Sequence, residues 1–133
     1  MESIWREVHG TQLLIVDALS LPGGRAVLRL AGALDVASCG QLRDALDAQL
    51  REGRTWLVLD MAGLSFIDSS GLSVLIAFSK KAADAGGQLS LAALQPHPAK
   101  ILKTADVERR LAIYPGAADA PAGPETADAG GAP

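Results

Sequence analysis

The chain has 133 residues, a formal net charge of −3, 49% hydrophobic residues and only 4% aromatic ones. That length suits one domain with a core of two or three layers, packed by Leu, Ile and Val in place of rings. Acidic and basic residues are interspersed, which gives no electrostatic footprint for nucleic acid or for a charge-led membrane role, and leaves protein partners open.

Residues 1–11 read as an N-terminal arm. Met1-Glu2-Ser3-Ile4-Trp5-Arg6-Glu7 has neither the basic start nor the apolar stretch of a signal peptide. No apolar run approaches the length that spans a bilayer, so the chain is expected in the cytoplasm. The domain proper is expected over residues 12–115. Gln12 to Leu19 alternates or runs apolar, Ser20-Leu21-Pro22-Gly23-Gly24 supplies turn chemistry, and Ala26-Val27-Leu28-Arg29-Leu30 follows. This predicts a β-hairpin whose second strand is the more buried. Gly32 and Asp35 mark the exit, with Asp35 or Ser38 as helix cap.

From about Val36 to Glu52, Cys39, Leu42, Ala45, Leu46 and Leu50 keep helical spacing, with Arg43, Asp44, Asp47 and Arg51 on the other face. The single Cys39 excludes an internal disulfide, fits a reducing compartment, and reads as a small apolar packing residue. Trp56-Leu57-Val58-Leu59 predicts a strand buried on both faces, in a parallel pair. A short loop is expected after it. A second helix is predicted from about Ser69 to Ala85, with one stripe of Leu72, Leu75 and Ile76 and another of Gly71, Val74 and Phe78. A helix so apolar at its start is either deeply buried or faces a partner. Leu89 to Leu94 alternates as a strand, Pro96 and Pro98 precede a short helical pattern at Ala99, Ile101 and Leu102, and Leu111 to Tyr114 makes a last strand. The order β-β-α-β-α-β-α-β implies an α/β fold: a mixed, mostly parallel sheet with an N-terminal hairpin and helices packed on it. Gly116 to Pro133 holds no Leu, Ile, Val or aromatic residue. Such a segment cannot bury enough apolar surface to offset its ordering entropy, so residues 116–133 are expected to be a disordered tail.

The most informative stretch is Asp68-Ser69-Ser70-Gly71-Leu72, where an apolar strand hands over to a helix. The carboxyl ends of strands are where sheets with helical crossovers carry function. Three readings of this stretch stand. In the first, Asp68 and the serines cap the helix and Gly71 packs tightly; one cap would suffice for that, and three candidates are present. In the second, a serine is an acyl-transfer nucleophile; that lacks a Gly-x-Ser-x-Gly elbow, and neither His9 in the arm nor His97 between two prolines is placed as a base. A phosphate-cradling Gly-Lys-Ser/Thr loop is missing too, as is any metal-ligand spacing. In the third, one of the two serines is a regulatory phosphorylation site. A phosphate at a helix N-terminus is tolerated by the helix dipole, yet it adds about −1.5 to −2 charge beside Asp68 and repels a surface built for a neutral serine.

From about Gln12 to Tyr114 the chain resembles STAS-domain anti-sigma factor antagonists. The likeness rests on Gly32-Ala33-Leu34-Asp35 before the first helix, the Asp68 to Leu72 core, and Gly86-Gly87-Gln88-Leu89 leading into a strand. It implies that Ser69 is phosphorylated by a cognate anti-sigma factor that is also a serine kinase, and dephosphorylated by a separate phosphatase. The chain would then be no enzyme and would need no cofactor, because the kinase brings ATP and magnesium. The resemblance further implies that Asp68, Ser69, Ser70 and Gly71 contact the partner together with Asp35; the protein is expected to be a monomer or weak dimer. Asp68 would hold the serine and the partner, Ser70 would serve as a second cap, and Gly71 would permit close approach of backbone or partner. A STAS scaffold in a sensory complex, or an accessory module of a lipid transporter, is the alternative without a Ser69 switch. The chain departs from the family in having Ala33 where an acidic residue is usual and in lacking a final helix.

Overall fold

A mostly exposed first strand and a second strand whose burial alternates build the expected hairpin. The computed structural model describes residues 13–123, and within them β1 (Ile15–Leu21) pairs antiparallel with β2 (Arg25–Leu34) from Ile15↔Ala31 to Leu21↔Arg25. Gly23 and Gly24 between them have φ of 79° and 75°, a left-handed backbone that glycine adopts without steric cost. β2 is the more buried strand, since β1 lies at the sheet edge. The sheet then runs in chain order, β1-β2-β3-β4-β5, with β3 (Trp56–Ile67), β4 (Gln88–Ala92) and β5 (Ala112–Tyr114) all parallel to β2.

Three helices connect the parallel strands: α1 (Cys39–Arg51), α2 (Ser69–Asp84) and α3 (Pro96–Thr104). One sheet face presents Ala26, Leu28 and Leu30 of β2, Leu57 and Leu59 of β3, and Leu89 and Leu91 of β4. These pack with Leu42 and Leu46 of α1, Leu72, Leu75 and Phe78 of α2, and Leu102 of α3 in one core. The two apolar stripes of α2 are both buried in it, so this helix is apolar because it is deeply packed. Leu42, Leu46, Leu75 and Phe78 are almost fully buried, which makes the helix–sheet layer the main source of hydrophobic stabilisation. Cys39 packs at the margin of this core.

Two elements differ from what the sequence leads one to expect. The segment after Leu59 is no loop, because β3 continues to Ile67 and stays paired with β2 as far as Leu34↔Ile67. The pairing shifts register twice, from Arg29↔Asp60 to Ala31↔Gly63 and from Gly32↔Leu64 to Ala33↔Phe66, so β3 carries an extra residue at each step. Extra residues of this kind bulge a strand and re-aim its side chains. The buried residues are accordingly Met61, Leu64 and Ile67, at every third position. Beyond Pro115, residues 116–123 are packed where a disordered tail was expected. Ala117–Asp119 forms a 3₁₀ turn, and Ala117 and Ala120 pack on Val58, Ala92, Val27 and Tyr114 on the sheet's second face. Small residues suffice there because that face is itself shallow. Residues 124–133 of the expected tail, and residues 1–11 of the expected arm, lie outside the described residues.

Candidate functional site

The site forms where β2 and β3 end together. Leu34 and Ile67 are paired as the last residues of the two strands, so the β2–α1 loop and the β3–α2 junction meet at one end of the sheet. The Asp68 N–H donates to the Leu34 carbonyl at 3.1 Å and carries the pairing one residue further.

Asp68 has extended backbone and occupies the N-cap of α2. Its Oδ1 accepts the N–H groups of Ser70 (2.9 Å) and Gly71 (3.1 Å), two of the donors that a helix start leaves unpaired. Its Oδ2 accepts the N–H of Val36 at 3.1 Å, 32 residues earlier in the chain. One carboxylate thus fastens the helix start to the neighbouring loop. Asp35 does a similar job locally: its Oδ1 accepts the N–H groups of Ala37 (3.0 Å) and Ser38 (3.1 Å). The Ser38 hydroxyl donates to the Ala33 carbonyl (2.8 Å) and accepts the Asp35 N–H (3.0 Å). Ser38 holds the N-cap position of α1, yet its side chain turns back into the loop and caps nothing in the helix.

Capping is therefore complete without Ser69 or Ser70. Ser69 is the first helical residue and is exposed, and among the described residues its hydroxyl has no hydrogen-bond partner. Ser73, one turn on and also exposed, donates its hydroxyl to the Ser69 carbonyl at 2.9 Å. Ser70 is half-buried and contributes its backbone N–H, so the role of second cap expected for it is taken by Asp68. Gly71 is buried, and a Cβ there would stand 2.6 Å from Leu34 Cγ and 2.8 Å from Leu34 O. The close approach expected of Gly71 is made by the chain's own β2 end. Asp68 makes no bond to the Ser69 hydroxyl, so both acids of the site spend their carboxylates on the scaffold.

Two residues that sequence reasoning passed over also belong here. Val36, 74% exposed, sits in the loop that Asp68 holds, and Phe66, 41% exposed, precedes the junction. The Phe66 ring stacks on His97 at the start of α3, with centroids 5.1 Å apart and planes 11° apart. The signal for Phe66 lies in Phe66-Ile67 itself, since neighbouring residues of a strand point to opposite faces and only one of the pair can enter this core. Removing the Asp68 carboxylate tests the scaffold role. Asp68→Ala loses three accepted hydrogen bonds and is expected to lower stability by about 2 kcal/mol, whereas Asp68→Asn keeps the cap, faces a donor towards Val36 and loses about 1 kcal/mol. Urea unfolding of the two variants measures that order.

No three His, Cys, Asp or Glu side chains group as metal ligands among the described residues, and none of the described helices is long and apolar enough to cross a membrane. The His97 ring is engaged in the stack with Phe66.

Comparison with known proteins matches residues 18–114 to the family described as "Mlab, STAS domain". The chain belongs to the STAS-domain family. Among curated STAS relatives, BtrV of Bordetella bronchiseptica, assigned as an anti-sigma factor antagonist, is 32% identical over 92 residues, which are 69% of this chain and 77% of BtrV. The crystal structure of an anti-sigma factor antagonist from Mycobacterium paratuberculosis superposes with a TM-score of 0.71 at 22% identity, over 80% of this chain and 89% of that one. The anti-sigma factor antagonist SpoIIAA, from Bacillus, has the same fold. Its unphosphorylated form gives a TM-score of 0.66 at 20% identity, over 76% of this chain and 89% of that one. Its phosphorylated form gives 0.61 at 20% identity, over 76% and 92%. The STAS fold expected from the motifs is therefore the fold observed.

Proposed function

We propose that this STAS protein is an anti-sigma factor antagonist switched by phosphorylation of Ser69. The unphosphorylated chain occupies a kinase-type anti-sigma factor and so releases a sigma factor. Phosphate on Ser69 ends that binding, and a separate serine phosphatase restores it. The chain acts as substrate and ligand in the cytoplasm, touches no nucleic acid itself, and leaves ATP and magnesium to the kinase. The observation that carries this reading is the exposed Ser69 hydroxyl, which the fold does not use because Asp68 has already capped the helix. The name of BtrV, an anti-sigma factor antagonist, supports the antagonist part of this reading.

The physics of the switch follows from the position. Ser69 sits at the positive end of the α2 dipole, so a phosphate there leaves the fold intact. That group also brings about −1.5 to −2 charge to a neutral hydroxyl that lies beside exposed Val36 and the half-buried carboxylates of Asp35 and Asp68. A partner shaped for the neutral hydroxyl would bury an unpaired dianion, which is costly. Asp35, Asp68 and Ser70 act mainly by holding that surface in shape.

Incubation with ATP, magnesium and candidate kinase-type anti-sigma factors, followed by mass spectrometry, tests the proposal. A single phosphate on Ser69 that abolishes co-elution with the kinase is the expected result. Stable binding to such a kinase with no label on Ser69 would point instead to a STAS scaffold without a switch.

A further inference from the structure

The sheet has two unequal edges. β5 is three residues long and is followed by Pro115, which has no N–H to offer a further strand. β1 is seven residues long, and its outer side has no strand partner among the described residues. Natural edge strands are commonly blunted by Lys, Pro, a bulge or a covering element. β1 has no Lys and no Pro, and its pairing with β2 proceeds without a register shift. It also carries Ile15 and Leu19, 54% and 59% exposed, which are two of the five large apolar residues that the described chain leaves exposed. A free row of backbone donors and acceptors and an exposed apolar pair thus coincide on one strand, which starts opposite Ala31 near the Ser69 end of β2 and runs away from it.

We propose that this edge pairs with β1 of a second copy of the chain, antiparallel about a two-fold axis at Ala18, to make one continuous ten-stranded sheet. Of the two-fold registers open to Ile15-Val16-Asp17-Ala18-Leu19-Ser20-Leu21, this one pairs the most residues. Ile15 meets Leu21 of the second copy, Val16 meets Ser20, Asp17 meets Leu19, and the small Ala18 meets itself. All seven residues are used, and the single charge of the strand faces an apolar side chain. Moving the axis to Asp17 sets carboxylate against carboxylate, a destabilising like-charge pair. Moving it to Leu19 leaves only five residues paired. Asp17 is already opposite Arg29 of β2, so its charge is partly offset within its own sheet.

Seven residues give about 23 Å of shared edge, which buries less than the roughly 1,200 Å² of a standard stable interface. The dimer is therefore weak and concentration-dependent. It leaves both Ser69 faces open, so each dimer presents two switch sites, and it stands independently of what Ser69 does.

Two measurements on the full chain test it. Sedimentation equilibrium from roughly 10 to 500 μM is expected to show a monomer–dimer equilibrium that Leu19→Lys weakens by about tenfold or more. In a Cys39→Ala background, Ala18→Cys is expected to form a disulfide-linked dimer under mild oxidation, because residues directly opposite have Cβ atoms about 4.5–5.5 Å apart, while Asp84→Cys at the far end of α2 does not. The inference is overturned by a chain that stays monomeric over that range. It is equally overturned if Ala18→Cys cross-links no faster than Asp84→Cys, or if Leu19→Lys folds normally and dimerises as well as the wild type.

Discussion

Ser69→Glu is expected to abolish binding to the anti-sigma partner, and Ser69→Ala to bind it whether or not ATP is present. The alanine removes a hydroxyl that makes no hydrogen bond among the described residues, so neither the fold nor the contact surface should suffer. The glutamate places a full negative charge on the first residue of α2, where the dipole offsets it within the free protein but not against a closing partner. Burying one unpaired charge in an interface costs about 2–5 kcal/mol, or roughly 30-fold to several thousand-fold in affinity. Titration calorimetry with the kinase, without nucleotide, reads that ratio directly. The electrostatic mechanism fails if Ser69→Glu binds within a few-fold of the wild type while its thermal stability is unchanged. A loss that salt restores in part would point to long-range repulsion in place of desolvation, because exposed charges are screened within about 8 Å at physiological ionic strength.

What could be read in the chain, and what could not, follows the range of the interactions involved. The hairpin was legible because Pro22-Gly23-Gly24 is turn chemistry between two alternating runs, and the buried strands because Leu57-Val58-Leu59 and Leu89-Ser90-Leu91 are short and apolar. The second half of β3 was not, since its two extra residues give Met61, Leu64 and Ile67 a spacing of three that matches neither strand nor helix. The packing of Ala117 and Ala120 escaped for a related reason: a composition rule that looks for Leu, Ile and Val misses small residues seated on a shallow face built from Val58 and Ala92. At the site, Asp68, Ser69 and Ser70 were equally good caps on local grounds. The choice of Asp68 is made by the loop, because only from that position does one carboxylate reach both the helix start and Val36 N–H. A bond between residues 32 apart leaves no trace in a local window.

Gly71→Ala should destabilise the protein even though it replaces glycine by the best helix former. In an unhindered helix position the exchange gains roughly 0.5–1 kcal/mol, because alanine has less backbone entropy to lose. At position 71 the new methyl would lie 2.6 Å from Leu34 Cγ, 2.8 Å from Leu34 O and 3.0 Å from Ile67 Cγ1. Leu34 is 0% exposed and Ile67 1%, so neither can yield towards solvent, and relief must come from moving the start of α2 off the strand ends. That movement strains the bond from Asp68 N–H to Leu34 O, the contact that seats the helix on β2. Overpacking of this kind costs about 1–3 kcal/mol and a weakened backbone hydrogen bond about 1 more, which outweighs the helix gain and leaves a net loss of about 2 kcal/mol. Gly40→Ala in α1 is the matched control: its Cβ would meet nothing within 4 Å, and the variant should be unchanged or slightly stabilised. The urea midpoint should fall for Gly71→Ala and hold or rise for Gly40→Ala. Phosphorylation of the folded Gly71→Ala chain should also slow, since the displaced residue is two positions from Ser69, while Gly40→Ala is labelled at the wild-type rate. Equal stability of both variants would mean that α2 does not sit as tightly on Leu34 as these distances require.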